Sequence, residues 1–304
     1  MSTSIIEKIQ TLKEQRNAVI LAHNYQPGEI QDIADFTGDS LGLSIQASQT
    51  DADVIVFCGV LFMAETAAIL SPKKTVLLPE KGAGCPMADM INAQQLQELK
   101  DKYPEALVVC YVNSTAEVKA LSDYCCTSGN ALELVQTLPR ERDIIFVPDK
   151  NLGGFIAERT GIEMILWPGY CSSHVRIVPA DIEAARKAHP NASVLAHPEC
   201  NPDVRALADE LMSTGGMLKF AKTSDVNEFI IATENGIIYS LQKQNPDKYF
   251  YPASEKAICP NMKKISLEKV LWAMEDMQYQ IEVPEPICSR ARRSLDRMLE
   301  VLPN

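Results

Sequence analysis

The chain has 304 residues, of which 46% are hydrophobic and 23% are charged, close to the roughly 45–50% and 25% of soluble globular proteins. This composition argues against a disordered or fibrous chain, and the length suggests about two domains or three smaller units. The formal net charge of -11, from 29 Lys and Arg against 40 Asp and Glu, disfavours nucleic acid as a partner.

The sequence predicts a protein without a membrane-spanning or secretory segment. The longest nearly continuous apolar run, 54–64, has 11 residues, whereas a spanning helix needs about 18. The first 17 residues mix Glu and Lys with apolar residues, unlike a signal peptide. Nine cysteines in a chain of this length do not resemble a secreted disulfide framework. We therefore expect a cytoplasmic protein that has no membrane partner.

Three apolar runs that end in polar residues recur along the chain. They are AVILAHNYQ at 18–26, LVVCYVNST at 107–115 and SVLAHPECN at 193–201. The equivalent residues Ala22, Cys110 and Ala196 are separated by 88 and 86 residues. Runs of this kind are typical of buried parallel strands, and their regular spacing indicates an internal repeat.

Two further sets of predicted strands follow within each repeat. The second set is VIVFCG at 54–59, IIFVPD at 144–149 and FIIATE at 229–234. The third set is TVLLPEKGAGC at 75–85, EMILWPGYC at 163–171 and KYFYPASEKAIC at 248–259. Helical patterns, such as those at 32–48 and 203–213, separate the strands. Alternating strands and helices predict an α/β fold with parallel sheets and right-handed crossovers.

We predict three similar three-layer α/β/α units around a pseudo-threefold axis. The expected boundaries are 1–91, 92–178 and 179–265, with 266–304 packing back on the first unit. Ligands of open α/β sheets bind beyond the carboxyl ends of the strands. The active site is therefore expected at the central junction of the three units.

One cysteine ends the third loop of each repeat, at Cys85, Cys171 and Cys259, with separations of 86 and 88 residues. Three thiolates in a threefold arrangement can hold three corners of a [4Fe-4S] cluster. The fourth iron would then be open and could act as a Lewis acid. The cysteines without a repeat equivalent are Cys58, Cys110, Cys125, Cys126, Cys200 and Cys288.

Two alternatives remain for these three cysteines. Any single cysteine is commonly buried for packing alone. Zinc is the rival metal, although the paired Cys-X-X-Cys spacing of structural zinc sites is absent from the sequence.

Polar pairs at spacing i, i+2 end the first strand of each repeat. They are His23 with Tyr25, Tyr111 with Asn113, and His197 with Glu199. On an extended chain both members of a pair point to the same side. The pairs offer acids, bases and hydrogen-bond donors for proton transfer and substrate orientation. The alternative is that each residue only caps a turn.

A hydroxyl residue within two residues of a glycine occupies another repeated position, at Ser40, Ser128 and Thr214, with separations of 88 and 86 residues. At the start of a helix, a hydroxyl and the backbone amides can bind an anion. Three such sites suit a substrate with several carboxylates or a phosphate. An ordinary helix cap is the alternative for each of them.

Nine motifs spread over the chain carry a resemblance to the quinolinate synthase family. They are AHNYQ (22–26), GDSLGLS (38–44), FMAETA (62–67), GCPMADM (84–90), YVNS (111–114), PDKNLG (148–153), WPGYC (167–171), HPEC (197–200) and CPNMKK (259–264). Some members of this family also carry a closely spaced cysteine triplet near the carboxyl end, which this chain lacks.

The resemblance implies an enzyme of NAD biosynthesis that condenses iminoaspartate with dihydroxyacetone phosphate to give quinolinate, phosphate and water. It implies a [4Fe-4S] cluster with three ligands, Cys85, Cys171 and Cys259, and one open iron. It also implies that the imine is handed over by an aspartate-oxidising enzyme.

The same resemblance assigns roles to the repeated polar residues. The implied proton-transfer and orienting residues are Tyr25, His174, His197 and Glu199. The implied substrate-binding residues are His23, Ser40, Tyr111, Val112, Asn113, Ser128, His197, Pro198, Glu199 and Thr214. A non-catalytic iron-sulfur sensor and, more weakly, a zinc hydrolase are the alternative functions.

Overall fold

The structure is a computed structural model that describes residues 2–301, with side chains described from residue 4 onward. It contains three four-stranded sheets whose strand pairings are all parallel, flanked by helices. The predicted α/β fold with three similar units is confirmed. No helix within 2–301 is long and apolar enough to cross a bilayer.

The first sheet is built from the amino-terminal part of the chain. Its elements, in chain order, are α1 (Ser2–Gln15), β1 (Ala18–His23), α2 (Gly28–Ile33), β2 (Phe36–Gly38), α3 (Ser40–Gln49), β3 (Val54–Cys58), α4 (Leu61–Leu70) and β4 (Thr75–Leu77). The spatial strand order is β2-β1-β3-β4.

The second sheet repeats this order as β6-β5-β7-β8. Its elements are α5 (Ala93–Lys102), β5 (Leu107–Tyr111), α6 (Ala116–Ala120), β6 (Tyr124–Cys126), α7 (Ala131–Thr137), β7 (Ile144–Val147), α8 (Lys150–Thr160) and β8 (Ile165–Leu166).

The third sheet has the same order again, β10-β9-β11-β12. Its elements are α9 (Pro179–Ala188), β9 (Ser193–Ala196), α10 (Pro202–Arg205), β10 (Glu210–Leu211), α11 (Thr214–Thr223), β11 (Glu228–Ala232), α12 (Ile237–Gln244) and β12 (Tyr249–Pro252). Two helices follow, α13 (Leu267–Asp276) and α14 (Ile287–Leu299).

The strand register is equivalent in the three sheets. Ala22 lies opposite Cys58, Cys110 opposite Val147, and Ala196 opposite Ala232. The central strands are buried along almost their whole length, because helices cover both faces of a parallel sheet. The two central strands of each unit, β1 with β3, β5 with β7 and β9 with β11, consequently end at one edge of their sheet. The polar residues that follow them emerge there together.

Each sheet has one strand that the sequence did not predict, namely β2, β6 and β10. These strands have two or three residues and lie at the sheet edge. An edge strand this short carries no continuous apolar run, so periodicity gives no signal for it.

The segment after the third sheet divides between two units. Helix α13 packs against α1 and β3, whereas α14 packs mainly against α6 and β6 and less extensively against α4. The sequence had placed all of 266–304 on the first unit. The amphipathic helix α14 instead buries Leu295 and Met298, and Asn130 Nδ2 donates to the backbone oxygens of Met298 at 3.0 Å and Val301 at 2.8 Å.

Two adjacent glycines of α8, Gly153 and Gly154, provide a matched test of how α8 packs against β7 and β8 of the second sheet. A Cβ at Gly153 would lie 2.6 Å from Leu166 Cδ2 and 2.8 Å from Phe146 Cδ1, whereas one at Gly154 would meet no atom within 4 Å. We expect Gly153→Ala to lower the free energy of unfolding by about 1–3 kcal/mol through overpacking. Gly154→Ala should raise it by up to about 1 kcal/mol, because alanine favours the helix. Chemical denaturation measures both, and equal effects of the two substitutions would contradict the described packing.

Candidate active site

A cavity lies where loops from all three sheets meet. Its lining includes most of the residues that the sequence singled out, namely His23, Tyr25, Ser40, Cys85, Tyr111, Asn113, Ser128, Cys171, His174, His197, Glu199, Thr214 and Cys259. The three sheets thus contribute side chains to one site beyond the carboxyl ends of their strands.

Two of the residues assigned by motif do not line this cavity. Val112 is buried and lines a small adjacent void together with Ser40 and Met63. Pro198 lines a neighbouring groove, which shares Asp39 and Ser128 with the main cavity. Their roles in substrate binding stay predictions.

The paired polar residues converge through turns rather than through extended strand. His23 is the last residue of β1, and its Nδ1 accepts a hydrogen bond from the backbone N–H of Tyr25 at 3.1 Å. In the third unit, Nδ1 of His197 accepts from the backbone N–H of Glu199 at 3.3 Å. This local bond folds the chain back on itself, so both members of each pair reach the cavity.

The hydroxyl residues lie at helix starts, but neighbouring residues provide the caps of two of these helices. Ser40 and Thr214 are the first residues of α3 and α11, and the capping side chains are Asp39 and Ser213. Ser128 lies in the turn before α7 and contacts His197 Nε2 at 3.1 Å. The hydroxyls of Ser40 and Thr214 therefore do not cap these helices, and both residues line the cavity.

The three repeat-matched cysteines are the only ones of the nine that line this cavity within 2–301. All three are partly exposed free thiols. Burial raises the pKa of Cys85 to about 12, and burial together with the Glu199 charge raises that of Cys171. The raised pKa values favour the protonated thiols. A bound metal would instead favour the deprotonated form, because cysteine binds metals as the thiolate.

A series of polar side chains in close contact lies along the cavity. The hydroxyl of Tyr25 lies 2.6 Å from Thr233 Oγ1, which lies 2.7 Å from His174 Nε2. His174 Nδ1 lies 2.8 Å from Glu199 Oε2, and Glu199 Oε1 accepts from the Tyr111 hydroxyl at 2.5 Å. The series therefore joins residues that emerge from all three sheets.

The central carboxyl of this series is held ionised. Glu199 is 2% exposed, and although burial opposes ionisation, the adjacent His174 and the hydrogen bond from Tyr111 hold its pKa below the usual range of a glutamate. Burial and the Glu199 charge raise the pKa of Tyr25 and of Tyr111, so both phenols keep their protons. The site thus places a carboxylate acceptor between two phenol donors.

The sequence did not single out Thr233 or the buried Glu234. Thr233 joins Tyr25 to His174, and Glu234 lines the cavity. Both directly follow β11, the third strand of their unit, as Pro148 and Asp149 follow the equivalent strand β7. A comparison of the residues that follow β3, β7 and β11 in the three repeats would have identified both.

Two further features indicate what the cavity could bind. Asn113 Oδ1 is buried without a hydrogen-bond partner in the described part of the chain, so it could accept a hydrogen bond from a ligand N–H or O–H group. Ligand atoms of Cys171, His174 and Glu199 lie within 4.8 Å of one another and form a possible metal site. His174 and Glu199, however, are already engaged with Thr233 and Tyr111.

The chain matches one protein family over almost its whole length. Residues 7–300 match the family described as Quinolinate synthetase A protein. The chain belongs to this family.

Curated relatives in the quinolinate synthetase A family match over almost their whole length. Quinolinate synthase of Dehalococcoides mccartyi strain CBDB1 is 57% identical over 298 residues, 98% of either chain. Quinolinate synthase of Thermodesulfovibrio yellowstonii is 54% identical over 303 residues, 99% of this chain and 100% of the relative. Quinolinate synthase 2 of Methanosarcina acetivorans is 53% identical over 297 residues, 98% of this chain and 96% of the relative.

His23, which ends β1, and His197, which follows β9, provide a test of the site's electrostatics. Burial is the main cause that lowers the pKa of both His23 and His197 to about 3. Their NMR ring signals should therefore not titrate between about pH 5 and pH 8, the range in which histidine ordinarily changes charge. Signals are assigned with His23→Gln and His197→Gln.

The unfolded protein in urea is the control, because both histidines should then titrate near pH ~6.5. Since the unfolded state takes up protons below that pH and the folded state does so only near pH 3, each histidine lowers folding stability as the pH falls below ~6.5. Titration of either folded-state signal near pH ~6.5 would contradict the described burial.

Proposed function

We propose that this chain is a quinolinate synthase, which condenses iminoaspartate with dihydroxyacetone phosphate to quinolinate, phosphate and two waters. The full-length match to relatives of that name carries the proposal. The convergence of thiols, hydroxyls, histidines and a buried carboxylate in one cavity supports it.

Cys85, Cys171 and Cys259 would hold a [4Fe-4S] cluster with one open iron. The donor set fits this group, because three free thiols from equivalent loops face one cavity, and thiolates are the usual ligands of such clusters. When bound, the cluster would supply a Lewis acid that assists loss of water from the substrate.

The hydroxyl residues would anchor the carboxylates of the imine. Ser40 and Thr214 lie at the amino-terminal ends of α3 and α11, where the helix dipole favours negative charge. Ser128 and His197 offer a further hydrogen-bonding pair. These local donors would offset the repulsion that a chain of net charge -11 exerts on an anionic substrate.

The series of polar contacts from Tyr25 to Tyr111 would move and hold protons during ring formation. Glu199, ionised and buried between Tyr111 and His174, is placed to accept a proton, and Tyr25 is placed to donate one. Thr233 would keep the Tyr25 hydroxyl and the His174 ring in fixed orientation through its two short contacts. Asn113 Oδ1 would orient a substrate N–H or O–H group.

This activity implies a cytoplasmic enzyme of NAD biosynthesis that receives its imine from an aspartate-oxidising enzyme. A protein that only senses oxygen or iron through a cluster would not need the series from Tyr25 to Tyr111. That series therefore favours a catalyst over a sensor.

The direct test is quinolinate formation by anaerobically reconstituted protein given both substrates. Cys85→Ala should lose the cluster and activity and keep most of the fold, because each unit has its own sheet. Cys58→Ala is the control, since Cys58 is buried within β3 away from the cavity. Full activity of Cys85→Ala, or equal losses in both variants, would argue against the assignment.

Thr233→Val tests the proton-handling series without a change of shape. Valine cannot join Tyr25 to His174, so we expect kcat to fall by roughly 100-fold, the scale of general acid-base catalysis, while iron content stays unchanged. Tyr25→Phe should likewise keep the cluster and lose most turnover. Unchanged kcat in both variants would remove the series from the mechanism.

A further inference from the structure

A buried carboxylate outside the proton-handling series holds the loop of the third cysteine. Glu234 is 1% exposed. Its Oε1 accepts the backbone N–H of Cys259 at 3.0 Å, and its Oε2 accepts the backbone N–H of Gly236 at 2.7 Å. Both carboxylate oxygens are thus engaged with backbone, and one of them fixes Cys259.

The charge of Glu234 is paired with Lys263, and Lys263 makes a second contact. Its Nζ lies 2.9 Å from Glu234 Oε1 and also donates to the backbone oxygen of Tyr25. One ammonium group therefore connects the backbone of Tyr25, at the end of the first strand, to the carboxylate that binds the Cys259 backbone.

The space around this pair permits no side chain at residue 236. A Cβ built on Gly236 would lie 2.6 Å from Lys263 Nζ, 2.7 Å from the Tyr25 oxygen and 2.8 Å from Glu234 Oε2. All three groups lie closer to this position than a side chain allows. The ion pair is consequently part of a tightly packed joint between the first and third units.

Lys263 ends a 3₁₀ turn, Pro260–Lys263, that follows Cys259 and also contacts the loop of the first cysteine. Asn261 Nδ2 donates to the backbone oxygen of Gly84, beside Cys85, at 2.8 Å. Gln26 Nε2, next to Tyr25, contacts Met262 Sδ at 3.4 Å. Three consecutive residues, Asn261, Met262 and Lys263, thus connect two cysteine loops to the Tyr25 loop.

We propose that Glu234 and Lys263 are positioning residues that fix Cys259 relative to Tyr25. The proposal rests on the function proposed above, in which Cys259 holds the cluster and Tyr25 handles protons. The pair would set where the proton donor stands relative to the cluster without itself touching substrate.

A double-mutant cycle distinguishes positioning from general packing. Lys263→Met leaves the Glu234 charge buried and unpaired, which is more disruptive than replacing both partners. We expect Lys263→Met to lower kcat by roughly tenfold or more, the effect of losing a hydrogen bond to a charged group, with KM nearly unchanged. In the double variant with Glu234→Gln, no charge is left unpaired and the amide oxygen can still accept from Cys259, whereas the N–H of Gly236 loses its acceptor. We therefore expect kcat to recover only in part.

Lys243→Met is the matched control. Lys243 Nζ forms an exposed ion pair with Asp32 at 2.6 Å and also joins the third unit to the first. Its other contact is with the Tyr239 ring, and it has no ion pair with a cysteine loop in the described part of the chain. Its loss should leave kcat and the cluster spectrum unchanged, because exposed ion pairs contribute little.

Two readouts are independent of turnover. The EPR spectrum of the reduced cluster should change in Lys263→Met and return toward wild type in the double variant. In cluster-free protein, iodoacetamide should alkylate Cys259 roughly tenfold faster relative to Cys171 in Lys263→Met than in wild type, because the loop is released. Mass spectrometry of the peptides measures both cysteines in one sample.

The outcomes separate the two proposals. A wild-type protein that holds no cluster or makes no quinolinate would overturn the proposed function, and the alkylation ratio would still decide whether the pair holds Cys259. If wild type is active and Lys263→Met matches it in kcat, EPR spectrum and alkylation ratio, the positioning role is wrong. Independent, additive losses in the double variant would also contradict it.

Discussion

The carboxylate of Glu199 lies in the middle of the molecule at 2% exposure, and an ionised group so deeply buried must be paired or hydrogen-bonded to persist. Its partners both belong to the second unit, where Tyr111 ends β5 and His174 lies in the loop after β8. Glu199 itself follows β9 of the third sheet. His174 continues through Thr233 to Tyr25, which follows β1 of the first. The cost of leaving this charge unpaired therefore favours the convergence of the three sheets around one cavity.

The repeated sheet order explains how unlike chemistry reaches the same place. Parallel strands end at a common edge, so each unit delivers a polar pair from its first strand and a cysteine from the loop after its fourth. Ser40 and Thr214 remain available for a ligand because Asp39 and Ser213 cap their helices. Thiols suited to a cluster and donors suited to carboxylates therefore line the same cavity. Lys263 and Glu234 connect the Cys259 loop to the backbone of Tyr25.

The sequence predicted the α/β class, the three units and most cavity residues because buried central strands leave continuous apolar runs at a fixed spacing. It missed β2, β6 and β10, whose two or three residues carry no periodic signal. It also placed α14 on the first unit, since amphipathicity shows that a face is buried but not which neighbour covers it. Thr233 escaped notice because a threonine after an apolar strand has no distinctive chemistry until Tyr25 and His174 lie beside it.

We propose that Cys85, Cys171 and Cys259 together hold one iron-sulfur cluster at the junction of the three sheets. The most direct measurement is the iron and acid-labile sulfide content of protein purified and reconstituted without oxygen. The account predicts about four of each per chain, as in a [4Fe-4S] cluster. Zinc in their place, or no iron after reconstitution, would contradict it and leave the three cysteine loops without the chemistry proposed for them.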